Sequence, residues 1–321
     1  MSYLELFGGL VYLLMGGDLL VRGAVALGRR LHVSPMLIGV TVVALGTSAP
    51  ELFVSVEAAL TGHPAIALGN VVGSNIANLL LVAGSLAVLT PIVTRGSGTR
   101  EDSGAMLIAT LLLVLLCLGG AVTRFEGLIL LTGLVLFMAY KARHLDRPRI
   151  REGRLDWVLG LPNTPWMIGL FILMGIVWLP LGAHLFIGAA ATIAQQLGVS
   201  EAVVGLTLVA VGTSLPELAT VFIAAARKNL DIALGNVIGS NVLNILAILG
   251  AASVIPEQPL PVPPEFLGLH VPVMIAATVA ISIFTLRRWT IGRTVGVLLL
   301  LAYATYVAAL YGTAGISLSS G

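Results

Sequence analysis

The sequence predicts an all-α polytopic membrane protein of ten transmembrane helices. These form two inverted five-helix repeats, with the N-terminus and C-terminus outside. Three observations carry this prediction. The composition is far too apolar for a soluble domain, the apolar residues fall into ten runs of membrane-spanning length, and two polar motifs recur at one fixed offset.

The composition excludes a soluble fold for most of the chain. Hydrophobic types make up 58% of the 321 residues, charged types 10%, and the mean hydropathy is +1.04. A soluble domain carries about 25% charged residues, so the solvent for most of this surface must be lipid. The net charge of +2 gives no basis for nucleic-acid binding. Cys117 is the only cysteine, which excludes an intrachain disulfide and a cysteine-based zinc cluster.

The apolar runs are about 20 residues long, as a transmembrane helix requires. The first lacks a basic segment before it, since the first Lys or Arg is Arg22, and so predicts a retained helix instead of a cleaved signal peptide. A basic stretch at 141–165 and a proline-rich stretch at 256–265 read as non-spanning segments. The ten predicted spans are 3–27, 34–60, 65–90, 104–122, 125–141, 167–196, 200–226, 231–254, 269–286 and 291–312.

The distribution of basic residues predicts the orientation. Fifteen of the 17 Lys and Arg residues fall on one side of these spans, whereas Arg124 alone falls on the other. Basic loops stay in the cytoplasm, so both termini lie outside and the 141–165 loop lies inside. We expect insertion in the inner, or plasma, membrane.

The internal repeat is exact in its spacing. LGTSAPEL at 45–52 matches VGTSLPEL at 211–218, and GNVVGSNIAN at 69–78 matches GNVIGSNVLN at 235–244, each 166 positions later. Five spans separate equivalent points, and an odd number turns the second copy upside down. The predicted units are therefore residues 1–140, a cytoplasmic linker at 141–165, and residues 166–321. A duplication kept only for folding is the alternative.

Each copy of the first motif places a carboxylate in the middle of an apolar helix, Glu51 and Glu217. A charge at that depth costs roughly 2.5–3.5 kcal/mol on insertion scales, so a matched pair indicates a functional site. A protonated, hydrogen-bonded packing residue is the structural alternative. Two hydroxyl residues precede each Glu by four and three positions and share its helix face. They are Thr47, Ser48, Thr213 and Ser214.

A proline directly before each Glu, Pro50 and Pro216, predicts a kinked or broken helix. We expect the break to leave the carbonyls of Ala44 and Ala210, or their neighbours, facing a cation. The second motif adds Ser and Asn at i, i+4 spacing, namely Ser74, Asn78, Ser240 and Asn244. Four more asparagines are open between ion contact and helix cross-linking: Asn70, Asn75, Asn236 and Asn241.

All of these candidate donors are oxygens, which suits hard cations such as calcium, magnesium or sodium and disfavours zinc and copper. Two negative charges match one divalent ion, and the same oxygens can hold sodium. Competition for one set of charges is a direct route to exchange. No catalytic nucleophile or metal triad is visible in the sequence, so we do not expect an enzyme, and we expect no cofactor.

The doubled GTSxPE and GNVxGSN motifs resemble those of the cation/calcium exchanger superfamily, most closely the prokaryotic sodium/calcium exchangers. The resemblance covers nearly the whole chain. It implies that the second, third, seventh and eighth helices surround the ions, while the first and sixth slide across them. It implies calcium at Glu51 and Glu217, with the hydroxyls, Ser74, Asn78 and Ser240 completing the calcium and sodium sites, and carbonyls from Ala44 and Ala210.

Asn244 departs from the pattern of some relatives, including potassium-dependent ones, which carry an aspartate there. The site then holds two formal charges, which argues against a potassium requirement. A sodium/calcium antiporter working as a monomer in the lipid bilayer is the preferred hypothesis. A proton-coupled calcium or other divalent cation antiporter on the same fold is the main alternative. A channel is a weaker hypothesis, because a single chain builds its own pseudo-twofold site. An intramembrane enzyme is also weaker, because it would need the nucleophile or metal triad that the sequence does not show.

Overall fold

The computed structural model describes residues 2–95, 98–143, 160–196, 212–264 and 266–318, and this part of the chain is almost entirely helical. In chain order the helices are α1 Ser2–Leu31, α2 Pro35–Ile38, α3 Ala44–Thr47, α4 Ala49–Leu60, α5 Pro64–Ala77, α6 Ala83–Leu89, α7 Thr99–Cys117, α8 Arg124–Arg143, α9 Pro165–Gln196, α10 Leu215–Ala226, α11 Leu230–Leu243, α12 Gly250–Val254, α13 Val271–Arg287 and α14 Arg293–Leu318. Two short strands, β1 Ala121–Val122 and β2 Leu260–Pro261, and four π-helical turns, one of them Phe266–His270 before α13, complete the elements of the described residues.

Seven continuous helical runs in the described residues are long and apolar enough to span a membrane, and α2–α4 form an eighth, bent by 47°. The fourth predicted span corresponds to α7, whose first turn carries Glu101 and Asp102. The prediction of 104–122 placed it too late, because the helix begins directly after Gly98, which has φ +81°. The predicted span 200–226 lies partly outside the described residues, which resume at 212.

The predicted helix breaks are confirmed on both sides of the repeat. Ser48 separates α3 from α4 with φ −85° and ψ 6°. Ser214 precedes α10 with nearly the same angles, φ −89° and ψ 3°. Pro50 and Pro216 both occupy the first turn of the helix after the break, where their missing N–H costs nothing. Each carboxylate therefore lies in the first turn of a new helix.

Two π-helical turns follow the second motif, a feature that the sequence reasoning did not predict. They span Asn78–Val82 and Asn244–Leu249, and their first residues are equivalent under the repeat offset of 166 positions. A π turn shifts the hydrogen-bond register and is frequent at functional sites. A third π turn, Gly39–Val43, joins α2 to α3.

The loops of the two repeats pair with each other in a reciprocal way. Ile92, in the loop after α6, forms a bridge with Ile291, in the loop after α13. Strand β2, in the loop after α12, pairs antiparallel with β1, in the loop after α7. Because α6 is equivalent to α12 and α7 to α13 under the repeat offset, each pairing is the repeat-related image of the other.

Glycines allow backbones to touch where helices cross. A Cβ built on Gly239 of α11 would lie 2.5 Å from the carbonyl oxygen of Val40, and one on Gly235 would lie 2.7 Å from that of Met36. Small residues permit such close approach between membrane helices. The crossing brings α11 of the second repeat directly against the broken helix of the first.

Candidate ion-binding site

The two predicted carboxylates are both buried where the repeats meet. Glu51 in α4 and Glu217 in α10 are each 1% exposed, and the negative charge of Glu217 acts on Glu51. The ion pairs among the described residues lie elsewhere, joining Asp18 to Arg22 and Arg227, and joining Asp102 to Lys141. The two acids thus form a concentrated negative charge with no basic side chain in contact with it in the part of the chain that is described.

A hydroxyl of the first repeat reaches the carboxylate of the second. The Ser48 hydroxyl donates to Glu217 Oε1 at 3.4 Å, across the boundary between the repeats. The reciprocal bond is not present, since Ser214 is buried with its hydroxyl unpartnered among the described residues. Thr47 is fully buried and donates to Asn236 Oδ1 at 3.1 Å, whereas Thr213 is only half-buried.

The predicted residues of the second motif are also buried, on α5 and α11 and at the first positions of the π turns. Of these four residues, only Asn244 has a side-chain hydrogen bond within the described ranges: its amide donates to Asn75 Oδ1 at 3.1 Å. None of the four exceeds 3% exposure. They are Ser74, Asn78, Ser240 and Asn244.

Several buried polar atoms of these residues have no hydrogen-bond partner within the described ranges. Buried polar groups in folded proteins are nearly always paired, and unpaired ones point to a missing water, ion or ligand. Both Glu residues contribute one oxygen to this set. The unpartnered oxygens are Glu51 Oε2, Glu217 Oε2, Ser74 Oγ, Ser214 Oγ, Ser240 Oγ, Asn78 Oδ1 and Asn244 Oδ1. This donor set matches the preference of hard cations for oxygen.

The prediction of an unpartnered Ala44 carbonyl is wrong. That oxygen accepts from the Ser48 N–H at 3.0 Å. The break falls at Ser48, so the last turn of α3 still closes on Ala44, while Pro50 leaves the Gly46 carbonyl without its usual donor. Whether Ala44 also contacts an ion stays a prediction, and Ala210 lies outside the described residues.

Of the four asparagines left open by the sequence, three have side chains that bond to another helix, and the fourth, Asn241, bonds within its own helix. Asn75 donates to the Asn241 carbonyl at 3.4 Å, and Asn241 donates to the Val237 carbonyl of its own helix at 2.7 Å. Asn236 accepts from Thr47, as described above. Asn70 donates to the Glu51 carbonyl and to Ser55, a residue that sequence reasoning did not single out. The only signal for Ser55 was its place one turn after Glu51.

Comparison with known proteins agrees with this geometry. The family profile described as sodium/calcium exchanger protein matches residues 1–143 and 167–312. A protein named as an antiporter, CaxA of Alkalimonas amylolytica, is 40% identical over 306 residues, covering 93% of this chain and 95% of its own. The sodium/calcium exchanger MaX1 of Methanosarcina acetivorans is 33% identical, covering 97% of this chain and 98% of its own.

Relatives of known cellular location and known structure extend the comparison. The inner membrane protein YrbG of Escherichia coli strain K12 is 32% identical, covering 94% of each chain. The solved structure of the sodium-calcium exchanger NCX_Mj soaked with sodium and strontium superimposes with a TM-score of 0.80 at 30% identity, covering 96% of this chain and 97% of its own. The chain is therefore a multi-pass membrane transporter that belongs to the sodium/calcium exchanger family.

Proposed function

We propose that this chain exchanges sodium for calcium across the membrane by alternating access, with the ions bound between the two repeats. MaX1 and NCX_Mj are both named as sodium/calcium exchangers, which supports the choice of ions. The observation that carries the proposal is the pair Glu51 and Glu217, both buried, with the charge of Glu217 acting on Glu51 and without a basic partner among the described residues. Two buried carboxylates without a bound cation are unfavourable in free energy, so the departure of one cation favours the binding of another.

The proposed ligands are the oxygens that converge on this pair. Calcium needs both carboxylates, because together they offset its charge, and the hydroxyl and amide oxygens complete a coordination shell of six to eight. Sodium ions use the same oxygens in turn. The proposed ligand residues are Glu51, Glu217, Thr47, Thr213, Ser48, Ser214, Ser74, Ser240, Asn78 and Asn244, with the carbonyls of Ala44 and Ala210.

We further propose the ten-span, inverted-repeat arrangement, with residues 1–140 and 166–321 as the two repeats and 141–165 as the cytoplasmic linker. The reciprocal loop pairings, Ile92 with Ile291 and β1 with β2, support it. Because one chain supplies both halves of the site, a monomer suffices for exchange. The name of the Escherichia coli relative favours the inner membrane.

Orientation is tested by chemical labelling. The only native cysteine, Cys117, is buried and is first replaced by Ala. We then expect Gly153→Cys, in the basic linker, to react with a membrane-impermeant maleimide only in inverted vesicles, because basic loops remain cytoplasmic. A cysteine at Gly62, between α4 and α5, is the matched control and should react only in cells. The opposite pattern would contradict the proposed topology.

The counter-ion is tested by calcium uptake into vesicles that contain the purified protein. We expect an outward sodium gradient to drive uptake, and potassium on either side to change the rate by less than about twofold, since Asn244 adds no third charge to be neutralised. Imposed sodium, potassium and proton gradients are compared at fixed calcium. Uptake that follows the proton gradient alone would favour the proton/calcium alternative. A strict potassium requirement would contradict the role given to Asn244.

A further inference from the structure

Each second-motif helix carries three polar residues one turn apart on one face. On α5 and the first position of the π turn that follows it, they are Asn70, Ser74 and Asn78, at i, i+4 and i+8, and the last two are proposed ligands. Asn70 lies one turn before Ser74, the nearest proposed ligand on α5, and is half-buried. The exchange mechanism proposed above gives it no role, although its side chain makes two contacts with the helix that carries Glu51.

Both contacts use the side-chain amide of Asn70 as donor. Nδ2 lies 3.1 Å from the main-chain oxygen of Glu51 and 2.9 Å from Ser55 Oγ, and Ser55 is fully buried. The two acceptors are one turn apart on α4. Two bonds from one rigid amide fix both the height and the rotation of α4 against α5. The Glu51 carboxylate is therefore held at a set position relative to Ser74.

The second repeat lacks this arrangement. The residue equivalent to Ser55 is Val221, which has no hydroxyl, and the asparagine equivalent to Asn70 is Asn236. Asn236 instead accepts a hydrogen bond from Thr47 of the first repeat, and its own amide nitrogen has no partner in the described part of the chain. The bonds of Asn70 thus stay within the first repeat, whereas the bond of Asn236 joins the second repeat to the first.

We infer that Asn70, with Ser55, is a positioning residue that sets the calcium affinity of the Glu51 half of the site. This inference rests on the proposed function for the identity of the ion. A divalent ion requires both carboxylates at a fixed separation, so a loosened α4 weakens calcium binding before it affects the rate of the transport cycle. The brace touches Glu51 through its main chain only and is not itself a ligand.

The test compares half-saturating calcium concentration and maximal rate in vesicles. Ser55→Val removes one net-stabilising hydrogen bond and Asn70→Ala removes two, so we expect the half-saturating concentration to rise about fivefold and about tenfold or more, with maximal rates within about twofold. Ser55→Thr keeps the hydroxyl and should stay near the parent. The control is Ser253→Ala, which removes an equally buried hydroxyl that bonds only to Leu249 of its own helical run.

A double variant separates positioning from general packing damage. If Asn70 and Ser55 act as one unit, Asn70→Ala combined with Ser55→Val should match Asn70→Ala alone, because residues that share one interaction are not additive. Additive shifts would overturn the inference. So would an unchanged half-saturating concentration in Ser55→Val, or a loss confined to maximal rate. If Asn70→Ala does not fold, the half-saturating concentrations of Ser55→Val and Ser55→Thr still test the inference.

Hydrogen exchange of the α4 amides, read by mass spectrometry without ions, tests the brace independently of the transported ion. We expect faster exchange around Glu51–Ser55 in Ser55→Val and Asn70→Ala, and parent-like exchange in Ser55→Thr and Ser253→Ala. A parent protein that exchanges no calcium would overturn the proposed function. The exchange measurement would still test whether Asn70 and Ser55 hold α4 in place. Unchanged α4 exchange in both bracing variants would overturn the brace even in a protein that transports calcium normally.

Discussion

Replacing Glu51 or Glu217 by Gln is expected to abolish sodium-driven calcium uptake while the protein remains folded. The change keeps the size of the side chain and removes one of the two charges that we propose bind calcium. A unit charge about 4 Å away is worth roughly 4 kcal/mol at an effective dielectric of 20, which is about a thousandfold in binding. Uptake by reconstituted vesicles measures the effect.

The control is Glu57→Gln, on the same helix as Glu51 but exposed, and it should keep parent-level uptake. Folding of all variants is checked by the elution profile in detergent and by thermal unfolding. Neutralising a buried, unpaired acid removes a desolvation cost, so the Gln variants should be at least as stable as the parent. Near-normal uptake by either variant would remove that residue from the proposed site.

The second large effect is expected at Gly239, where α11 crosses the broken helix of the first repeat. A methyl group there would lie 2.5 Å from the Val40 carbonyl oxygen and 2.6 Å from its Cα, both main-chain atoms that cannot rotate away. Gly239→Ala must therefore push the two backbones apart. Overpacking of this kind costs about 1–3 kcal/mol, and it also displaces Ser240 and Asn244 from the carboxylates.

We expect Gly239→Ala to lower calcium uptake about tenfold or more and to lower the melting temperature by a few degrees. The matched control is Gly104→Ala in α7, where no described atom lies within 4 Å of the added methyl group. That variant should keep both uptake and melting temperature, since alanine is also the better helix former. Parent-like uptake by Gly239→Ala would show that the crossing tolerates separation.

The sequence predicted the helix breaks and the burial of the acids because these depend on local chemistry. Proline before each Glu and the fixed repeat offset are readable without coordinates. The partners of Thr47 and Asn70 were not predictable in the same way. These two contacts differ between the repeats, and the difference follows from how α4, α5 and α11 pack together, with only Ser55 against Val221 as a sequence trace.

The π turns at Asn78 and Asn244 were missed for a different reason. They contain ordinary apolar residues, and no propensity distinguishes them from the α-helix on either side. The boundary of α7 was missed because charged residues in its first turn made that turn look like a loop. The Ala44 carbonyl was expected to be free, but the break falls at Ser48, so the last turn of α3 still closes on that carbonyl.

The reciprocal pairing of the loops constrains how this protein is made. Ile92 is synthesised early, but its partner Ile291 follows about 200 residues later, and β1 likewise waits for β2. Contacts so distant along the chain form late, because loop-closure entropy must be overcome first. The first half of a nascent chain therefore sits in the bilayer with Glu51 in place, while Glu217 and the other site residues of the second repeat are not yet made. The two loop pairings can be complete only after Ile291, near the start of the last helix, has been synthesised.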